Sequence, residues 1–249
     1  MELKILGSSS KGNCYLLDNG KEALMIECGI AFKEVQKAVD FDISRICGVI
    51  ISHEHGDHAK HVKKCIESRI PVYGSQGTLD ALISPTGDVP SLVCRMCELT
   101  IHQIGGFRVQ PFATQHDAAE PFGFLIYHPE CGMVLFATDT YYLHYTFDGL
   151  NNILIECNYR QDILDSNVES GKIHPVMRKR TMKSHCSFDT CKEILEANDL
   201  SKVNNIVLIH ISDVNANANE FKQGIVEATG KTVYIAEKGM QINFNKSPF

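Results

Sequence analysis

The chain has no apolar run approaching the ~20 residues that a membrane helix needs. No internal repeat or low-complexity tract divides its 249 residues. Basic charge is not in excess either. The formal net charge is −6, so no global field draws the protein to nucleic acid or to an anionic membrane, and any polyanion must be held by a local patch. The first residues, Met1-Glu2-Leu3-Lys4-Ile5-Leu6, lack the basic start, long apolar centre and small-residue cleavage site of a secretion signal, and read as a strand. The ten cysteines offer one close pair, Cys94-Arg-Met-Cys97. With no second CxxC to complete a zinc knuckle, this pair reads as two loop or strand thiols. The whole set reads as reduced thiols, which sets the expectation of a cytoplasmic protein.

What is present is the composition of an ordinary globular enzyme, 44% hydrophobic and 22% charged, with ample chain for a packed core. Strand-like runs cover Leu3–Leu6, Cys14–Leu17, Ala23–Glu27 and Cys47–Ser52, with helical spacing at Ala31–Val39 and Ala59–Glu67. A short strand at Pro71–Gly74 and a helix around Thr78–Ile83 follow. The second half alternates in the same way, with strands at Phe107–Thr114, Phe122–Tyr127, Met133–Thr138, Asn152–Glu156 and Asn205–Ile209, helices at Phe188–Ala197 and Asn219–Thr229, and closing strands at Lys231–Ala236 and Met240–Phe244. No linker invites a cut. The expected architecture is α/β (α+β): one domain over residues 1–249, built of two similar αβ halves stacked as a four-layer αβ/βα sandwich.

The densest chemistry lies in His53-Glu54-His55-Gly56-Asp57-His58. Three imidazoles and an aspartate in so short a run repel one another if protonated and are costly to bury. A divalent cation turns both costs into a gain, because neutral imidazole and carboxylate are its preferred donors. Other apolar strands also end in ligand-type residues: Met133–Thr138 in Asp139, Asn205–Ile209 in His210 and, less cleanly, Arg108–Gln115 in His116. Donors at the ends of rigid strands converge on one edge of a fold. Seven donors exceed the four of a single zinc ion and suit two ions. If the chain is extended at the cluster, His53 and His55 face one way and Asp57 and His58 lie around the turn. This assigns His53, His55 and His116 to one metal, Asp57, His58 and His210 to the other, and Asp139 to a bridge. A His/Asp set suits Zn2+ first, with Mn2+ or Fe possible.

The pattern His53-x-His55-x-Asp57-His58 followed by His116, Asp139 and His210 resembles the metallo-β-lactamase fold superfamily over essentially the whole chain. Gly7-Ser-Ser-Ser-Lys-Gly-Asn13, Glu156-Cys-Asn158, Ser184-His-Cys-Ser187 and Ile209-His-Ile-Ser212 resemble the YycJ (WalJ) group, related to ribonuclease Z and other phosphodiesterase branches. The resemblance implies an αβ/βα sandwich with two metals in the cleft between its halves and hydrolysis by a metal-activated water. One departure is Met25-Ile-Glu27-Cys-Gly29, where such chains often carry aspartate in an Asp-x-Gly context. Glutamate keeps the charge on a side chain one methylene longer, with orientation of the metal loop as its expected role.

Two close divalent ions lower the pKa of a bridging water from ~15.7 towards ~7, polarise the electrophile and stabilise developing charge. Asp57 can bind metal and also accept a hydrogen bond from the nucleophile. The leaving group still needs a proton or a positive neighbour, and His185 is the candidate. It follows the basic run Met177-Arg-Lys-Arg-Thr-Met-Lys183 and precedes Ser187, a suitable cap for the next helix. By resemblance, Ser184-His185-Cys-Ser187 matches the ribonuclease Z-like histidine motif that contacts the scissile phosphate. The expected substrate is therefore a phosphodiester, foremost nucleic acid (DNA or RNA), cut as by an exonuclease-like phosphodiesterase. The bland reading of the basic run is a solvated face. Rival functions are a small-substrate hydrolase of the same fold (cyclic nucleotide phosphodiesterase, thioesterase or lactonase) and a non-catalytic, metal-stabilised binding module. A β-lactamase is disfavoured because Asp139 stands where those enzymes typically use cysteine. His61, His102, His128, His144 and His174 read as structural or surface residues.

Overall fold

The computed structural model describes residues 1–83 and 91–247. Two seven-stranded sheets carry the chain. In chain order the first half supplies strands β1 (Glu2–Gly7), β2 (Cys14–Asp18), β3 (Ala23–Ile26), β4 (Ile46–Ile50), β5 (Val72–Gly74) and β6 (Val93–Arg95). The second supplies β7 (His102–Ile104), β8 (Phe107–Ala113), β9 (Phe122–His128), β10 (Gly132–Ala137), β11 (Leu150–Glu156), β12 (Asn205–Ile209) and β13 (Thr232–Ile235). The last strand, β14 (Gln241–Asn243), returns to the first sheet and pairs antiparallel with β1, Leu3 opposite Ile242. The sheet orders are β14-β1-β2-β3-β4-β5-β6 and β13-β12-β11-β10-β9-β8-β7.

Three apolar clusters define the layers. One lies between the sheets and joins Leu3, Tyr15, Ile26 and Ile50 of the first to Phe107, Phe124, Phe136 and Val207 of the second. The outer face of the first sheet packs on α1 (Phe32–Ala38) and α3 (Val62–Glu67), through Phe32, Val35, Val62 and Cys65. The outer face of the second packs on α7 (Phe188–Glu196) and α8 (Ala218–Thr229), through Cys191, Ile194, Leu195, Phe221 and Ile225. The result is the αβ/βα four-layer sandwich expected from the sequence. Strands β3, β11 and β12 are buried along their whole length, as strands covered on both faces must be, and they contain the apolar runs Ala23–Ile26, Ile153–Ile155 and Ile206–Ile209.

Strand direction brings the functional ends together. Strands β3 to β6 run parallel, as do β10 to β13. Both β8 and β10 are antiparallel to β9, so β8 points the same way as β10. Residues that follow β8, β10, β11 and β12 therefore emerge at one edge of their sheet.

Some boundaries differ from the sequence expectation. The helix expected over Ala59–Glu67 is split into α2 (Gly56–Ala59) and α3. The break occurs where the His61 amide donates to the Cys28 carbonyl (3.1 Å) and the Cys28 amide to the His58 carbonyl (2.7 Å). Pairing with the end of β3 takes backbone groups that a continuous helix would use. The strand expected through Ser52 stops at Ile50, because the Ser52 amide turns to the Glu27 carboxylate, 3.3 Å from each oxygen. Short strands β6 and β7 and helices α5 (Gln161–Glu169) and α6 (Pro175–Ser184) had no clear signal in the periodicity. No helix among the described residues is long and apolar enough to cross a membrane.

Asp18 shows how the first sheet is tied. Its buried carboxylate meets Lys4 Nζ of β1 at 2.8 Å and Arg45 Nη1, just before β4, at 3.1 Å. Burial pushes the Asp18 carboxyl up, but the Lys4 hydrogen bond, the Gly20 amide and the two cations outweigh it and hold the group below its ordinary value of 3.8. A depressed carboxyl contributes stability above its unfolded pKa and loses it as pH falls through the folded one. Asp18→Asn is expected to cost about 2–3 kcal/mol at neutral pH. In urea unfolding the gap between variant and parent should narrow once the pH drops below about 4, where the unfolded carboxyl is protonated.

Candidate metal centre and cleft

The seven donors singled out in the sequence meet at the strand edge. Residues after β4 supply His53, His55, Asp57 and His58. His116 follows β8, Asp139 follows β10 and His210 follows β12. Glu27, Asp139 and His210 leave their strands with positive φ, 64°, 45° and 52°. This left-handed turn is uncommon for residues with a side chain and costs on the order of 1–3 kcal/mol each. Gly29 permits a further close approach. A Cβ there would lie 1.7 Å from the Asp57 carbonyl oxygen, so the loop carrying Asp57 could not sit against the end of β3 with any other residue.

The donors form two groups. In the first, His53 Nε2 lies 3.0 Å from His55 Nδ1, which lies 3.1 Å from His116 Nε2. In the second, Asp57 Oδ2 is 3.3 Å from both His58 Nε2 and His210 Nε2. Asp139 stands between them. Its Oδ2 is 3.8 Å from His53 Nε2, 3.6 Å from His116 Nε2 and 3.5 Å from His58 Nε2, and its Oδ1 is 3.7 Å from His210 Nε2. Both groups have the spacing of ligand atoms around an ion.

The chemistry of this donor set fits a cation. His116 Nδ1 lies 2.8 Å from the Ser184 carbonyl oxygen. A carbonyl only accepts, so the proton sits on Nδ1 and the neutral ring turns a bare lone pair at Nε2 toward His55. Three imidazole nitrogens converging in this way cannot all be satisfied by one another. Nδ1 of the fully buried His58 has no hydrogen-bond partner; Glu27 Oε1, at 3.5 Å, faces it as a charge. Burial pushes His53 and His116 below the ordinary histidine range, and the neighbouring His58 adds to the effect on His53. Burial acts the same way on His58 and His210, but Asp139, with Glu27 at His58 and with Asp57 and Glu156 at His210, outweighs it and raises both, His210 to about 10. A divalent ion among these carboxylates supplies the positive charge that those protons otherwise provide.

Around the donors lies a polar shell. Asn13 Nδ2 is 3.2 Å from His58 Nε2, and its amide donates to the Asp57 carbonyl at 2.7 Å. Asn158 Nδ2 donates to the His210 carbonyl at 2.7 Å. Glu156, at the end of β11, is fully buried and acts as a hub. Its Oε2 accepts from the amides of Thr140 and Cys186, both at 3.1 Å, and its Oε1 meets His185 Nδ1 at 2.7 Å and His210 Nδ1 at 3.4 Å. Glu27 and Glu156 are matched features: Glu27 directly follows the fully buried β3, Glu156 is the last residue of the fully buried β11, and each is followed by a buried cysteine, Cys28 and Cys157. The sequence reading used Glu156 only as part of a resemblance; the strand-end pattern that singled out Asp139 also applies to it. Asn13 and Asn158 carried no comparable signal.

His185 closes the last turn of α6, and Ser187 caps α7 by accepting the Thr190 amide. His185 Nδ1 is 4.0 Å from Asp139 Oδ2. Burial lowers its pKa, but the Glu156 carboxylate outweighs burial and leaves it above the ordinary histidine value. With Nδ1 engaged by Glu156, Nε2 is the nitrogen left for the cleft. That cleft, ≈ 380 Å³, is lined by His55, Asp57, His116, Asp139, His185 and His210 on one side and by Met177, Arg180 and Thr181 of α6 on another. The histidines set aside in the sequence lie elsewhere. His61 and His174 sit at the N-termini of α3 and α6, His128 pairs with Glu22 and His144 packs on Tyr142. His102 accepts from the Cys97 amide at 3.4 Å.

The fold is that of metallo-β-lactamase fold proteins, a fold that implies divalent metal ions. Residues 9–91 match the family model described as "Metallo-beta-lactamase superfamily". Among curated proteins, the chain is 25% identical over 173 residues to "Exodeoxyribonuclease YycJ" of Bacillus anthracis, a match covering 66% of this chain and 65%, just under two thirds, of that protein. It is 25% identical over 225 residues to "Exodeoxyribonuclease WalJ" of Streptococcus pneumoniae, covering 85% and 81%. Similar solved structures include the metallo-β-lactamase fold protein YhfI from Bacillus subtilis (TM-score 0.74, 16% identity, 97% of this chain and 98% of that one). Human tRNase Z, short form, has a TM-score of 0.64 at 17% identity, covering 98% and 99%.

Glu27 provides a test of the site that is independent of turnover. It holds the Ser52 amide and faces His58, so Glu27→Gln keeps the shape but removes the charge beside His58. The substitution is expected to weaken metal binding by about 10–100-fold in competition with a chromophoric chelator. Unchanged affinity would leave Glu27 with a packing role alone.

Proposed function

We propose that this chain is a metal-dependent phosphodiesterase that uses two divalent ions to cut nucleic acid. The observation that carries the reading is the placement of His185: clamped by buried Glu156, 4.0 Å from Asp139, in a cleft also lined by the basic helix whose last turn it closes. His53, His55 and His116 would hold one ion, Asp57, His58 and His210 the other, with Asp139 shared. When bound, the ions activate water as the nucleophile and offset charge on the phosphate. Zinc is the first choice for this donor set, and manganese or iron the next.

The chain's own groups supply the rest. Asp57, the most exposed of the carboxylates in the donor cluster, lines the cleft and can accept the proton of the attacking water. His185 keeps its Nδ1 proton on Glu156 and presents Nε2. Protonated there, it binds a phosphate oxygen and then gives that proton to the leaving oxygen. Glu156 fixes the ring and favours its charged form. Arg180, at the cleft wall, adds a positive neighbour for the phosphate. The names of the Bacillus anthracis and Streptococcus pneumoniae relatives support DNA as a substrate, and that of human tRNase Z supports RNA. The unpaired cysteines support a reducing, cytoplasmic setting.

The test is digestion of end-labelled DNA and RNA, and of bis-p-nitrophenyl phosphate, by metal-loaded protein. His185→Ala is expected to lower kcat by about 10²–10⁴-fold with metal content unchanged. Hydrolysis of bis-p-nitrophenyl phosphate alone would redirect the reading to a small phosphodiester. No hydrolysis of any of these substrates by the parent would overturn it.

A further inference from the structure

Helix α6 has no reason to exist in the terms that explain the other long helices. Of its ten residues only Ser184 is buried, so packing on the core does not stabilise it, and a helix this short is marginal alone. It carries Arg178, Lys179, Arg180 and Lys183 and no acidic residue. Outside contacts with Asp165 and Asp117 hold two of these cations, while Lys179 and Lys183 stand exposed. The helix also exposes large apolar side chains, Val176 at 64% and Met177 at 50%. Cationic and apolar groups are thus presented together by a chain whose net charge is −6.

A second exposed apolar edge lies beside it. Tyr141 and Tyr142, 42% and 46% exposed, follow Asp139 by two and three residues. One short segment joins the two features. The Gln115 carbonyl accepts the Tyr141 amide, His116 Nδ1 donates to the Ser184 carbonyl, and Asp117 accepts from Ser184 Oγ and pairs with Arg180. The tyrosine edge and α6 are therefore both tied to the segment Gln115–Asp117, which carries the cleft residue His116.

We propose that α6 and the Tyr141–Tyr142 edge form a docking track for an unpaired polynucleotide strand, which selects single-stranded over duplex substrate. The proposal rests on the phosphodiesterase reading and specifies its substrate. The cations meet phosphates; the tyrosine rings and the Met177 thioether meet base faces. A duplex keeps those faces stacked inside and offers this surface only its phosphates, whereas each stacked base of a single strand raises affinity about 5- to 150-fold. An anionic membrane would also attract a basic, apolar helix. The strand is favoured because the same helix lines the cleft with Met177, Arg180 and Thr181, which places bound phosphates in line with His185.

Binding is measured by fluorescence anisotropy with metal-loaded His185→Ala protein, so that the strand survives. The probes are a labelled 12-nucleotide single strand of DNA, its RNA counterpart and the blunt DNA duplex. The single strands are expected to bind about tenfold or more tightly than the duplex. Adding Tyr141→Ala and Tyr142→Ala together should weaken single-strand binding about 30-fold or more and duplex binding far less. Lys179→Ala with Lys183→Ala should lower the slope of log affinity against log salt by about 1.4, roughly 0.7 per phosphate contact. Phe41→Ala, exposed on another part of the surface, is the control and should change neither. Equal affinity for strand and duplex, or no response to the tyrosine substitutions, overturns the track while leaving the hydrolase reading to the digestion assay. Binding to phosphatidylserine vesicles but to neither nucleic acid also overturns it. Absence of any hydrolysis by the parent chain overturns the hydrolase reading and this proposal with it.

Discussion

The carboxylate of Asp139 lies within 4.0 Å of five imidazoles, those of His53, His58, His116, His185 and His210. It is nearly inaccessible to solvent, so its charge is expensive unless compensated. The compensation comes from both sheets: His53 and His58 from the first, His116 and His210 from the second. The ring of imidazoles outweighs burial and holds the Asp139 carboxyl well below its ordinary value. That requirement for positive charge is joined by ring nitrogens that point at one another, those of His53, His55 and His116, with the spacing of ligands around a cation. The geometry of the cleft follows from that requirement, because the two sheets must present their edges together to supply the donors.

Parallel strand direction meets most of the requirement. Strands β4, β8, β10 and β12 all finish at the cleft, and left-handed turns at Asp139 and His210 end two of them. Glu27 and Glu156, at the ends of the neighbouring strands β3 and β11, give each sheet a buried acid behind its donors. Glu27 steadies the His53–His58 loop. Glu156 couples His210, a candidate metal donor, to His185, the proposed proton carrier. A change at Glu156 should therefore reach both the metal and the proton chemistry, whereas Glu27 reaches the metal loop alone.

Much of this was legible in the sequence because the central strands are buried on both faces. They appear as uninterrupted apolar runs, and a polar residue at such an end stands out. That is how Asp139 and His210 stand out beside the His53–His58 cluster, while His116 is less clear because Arg108 and Gln110 interrupt the run before it. Helices α5 and α6 were not legible for the complementary reason: α5 buries little beyond Leu164 and Asn167, and α6 buries only Ser184. Neither has the apolar stripe on which periodicity depends. The basic run was visible as charge, but its helix and its place over the cleft depend on contacts with Asp117 and Asp165, which no local pattern contains. Asn13 and Asn158 stand in motifs that carry the resemblance, but their contacts with His58 and His210 were hidden, since those residues are distant in sequence.

The central claim is that one buried carboxylate is shared between two triads of donors, and anomalous X-ray diffraction from metal-loaded crystals tests it most directly. The account predicts two peaks about 3.5–4 Å apart, one among His53, His55 and His116 and one among Asp57, His58 and His210, with Asp139 touching both. A single peak, or peaks at which Asp139 is not a ligand, would contradict it.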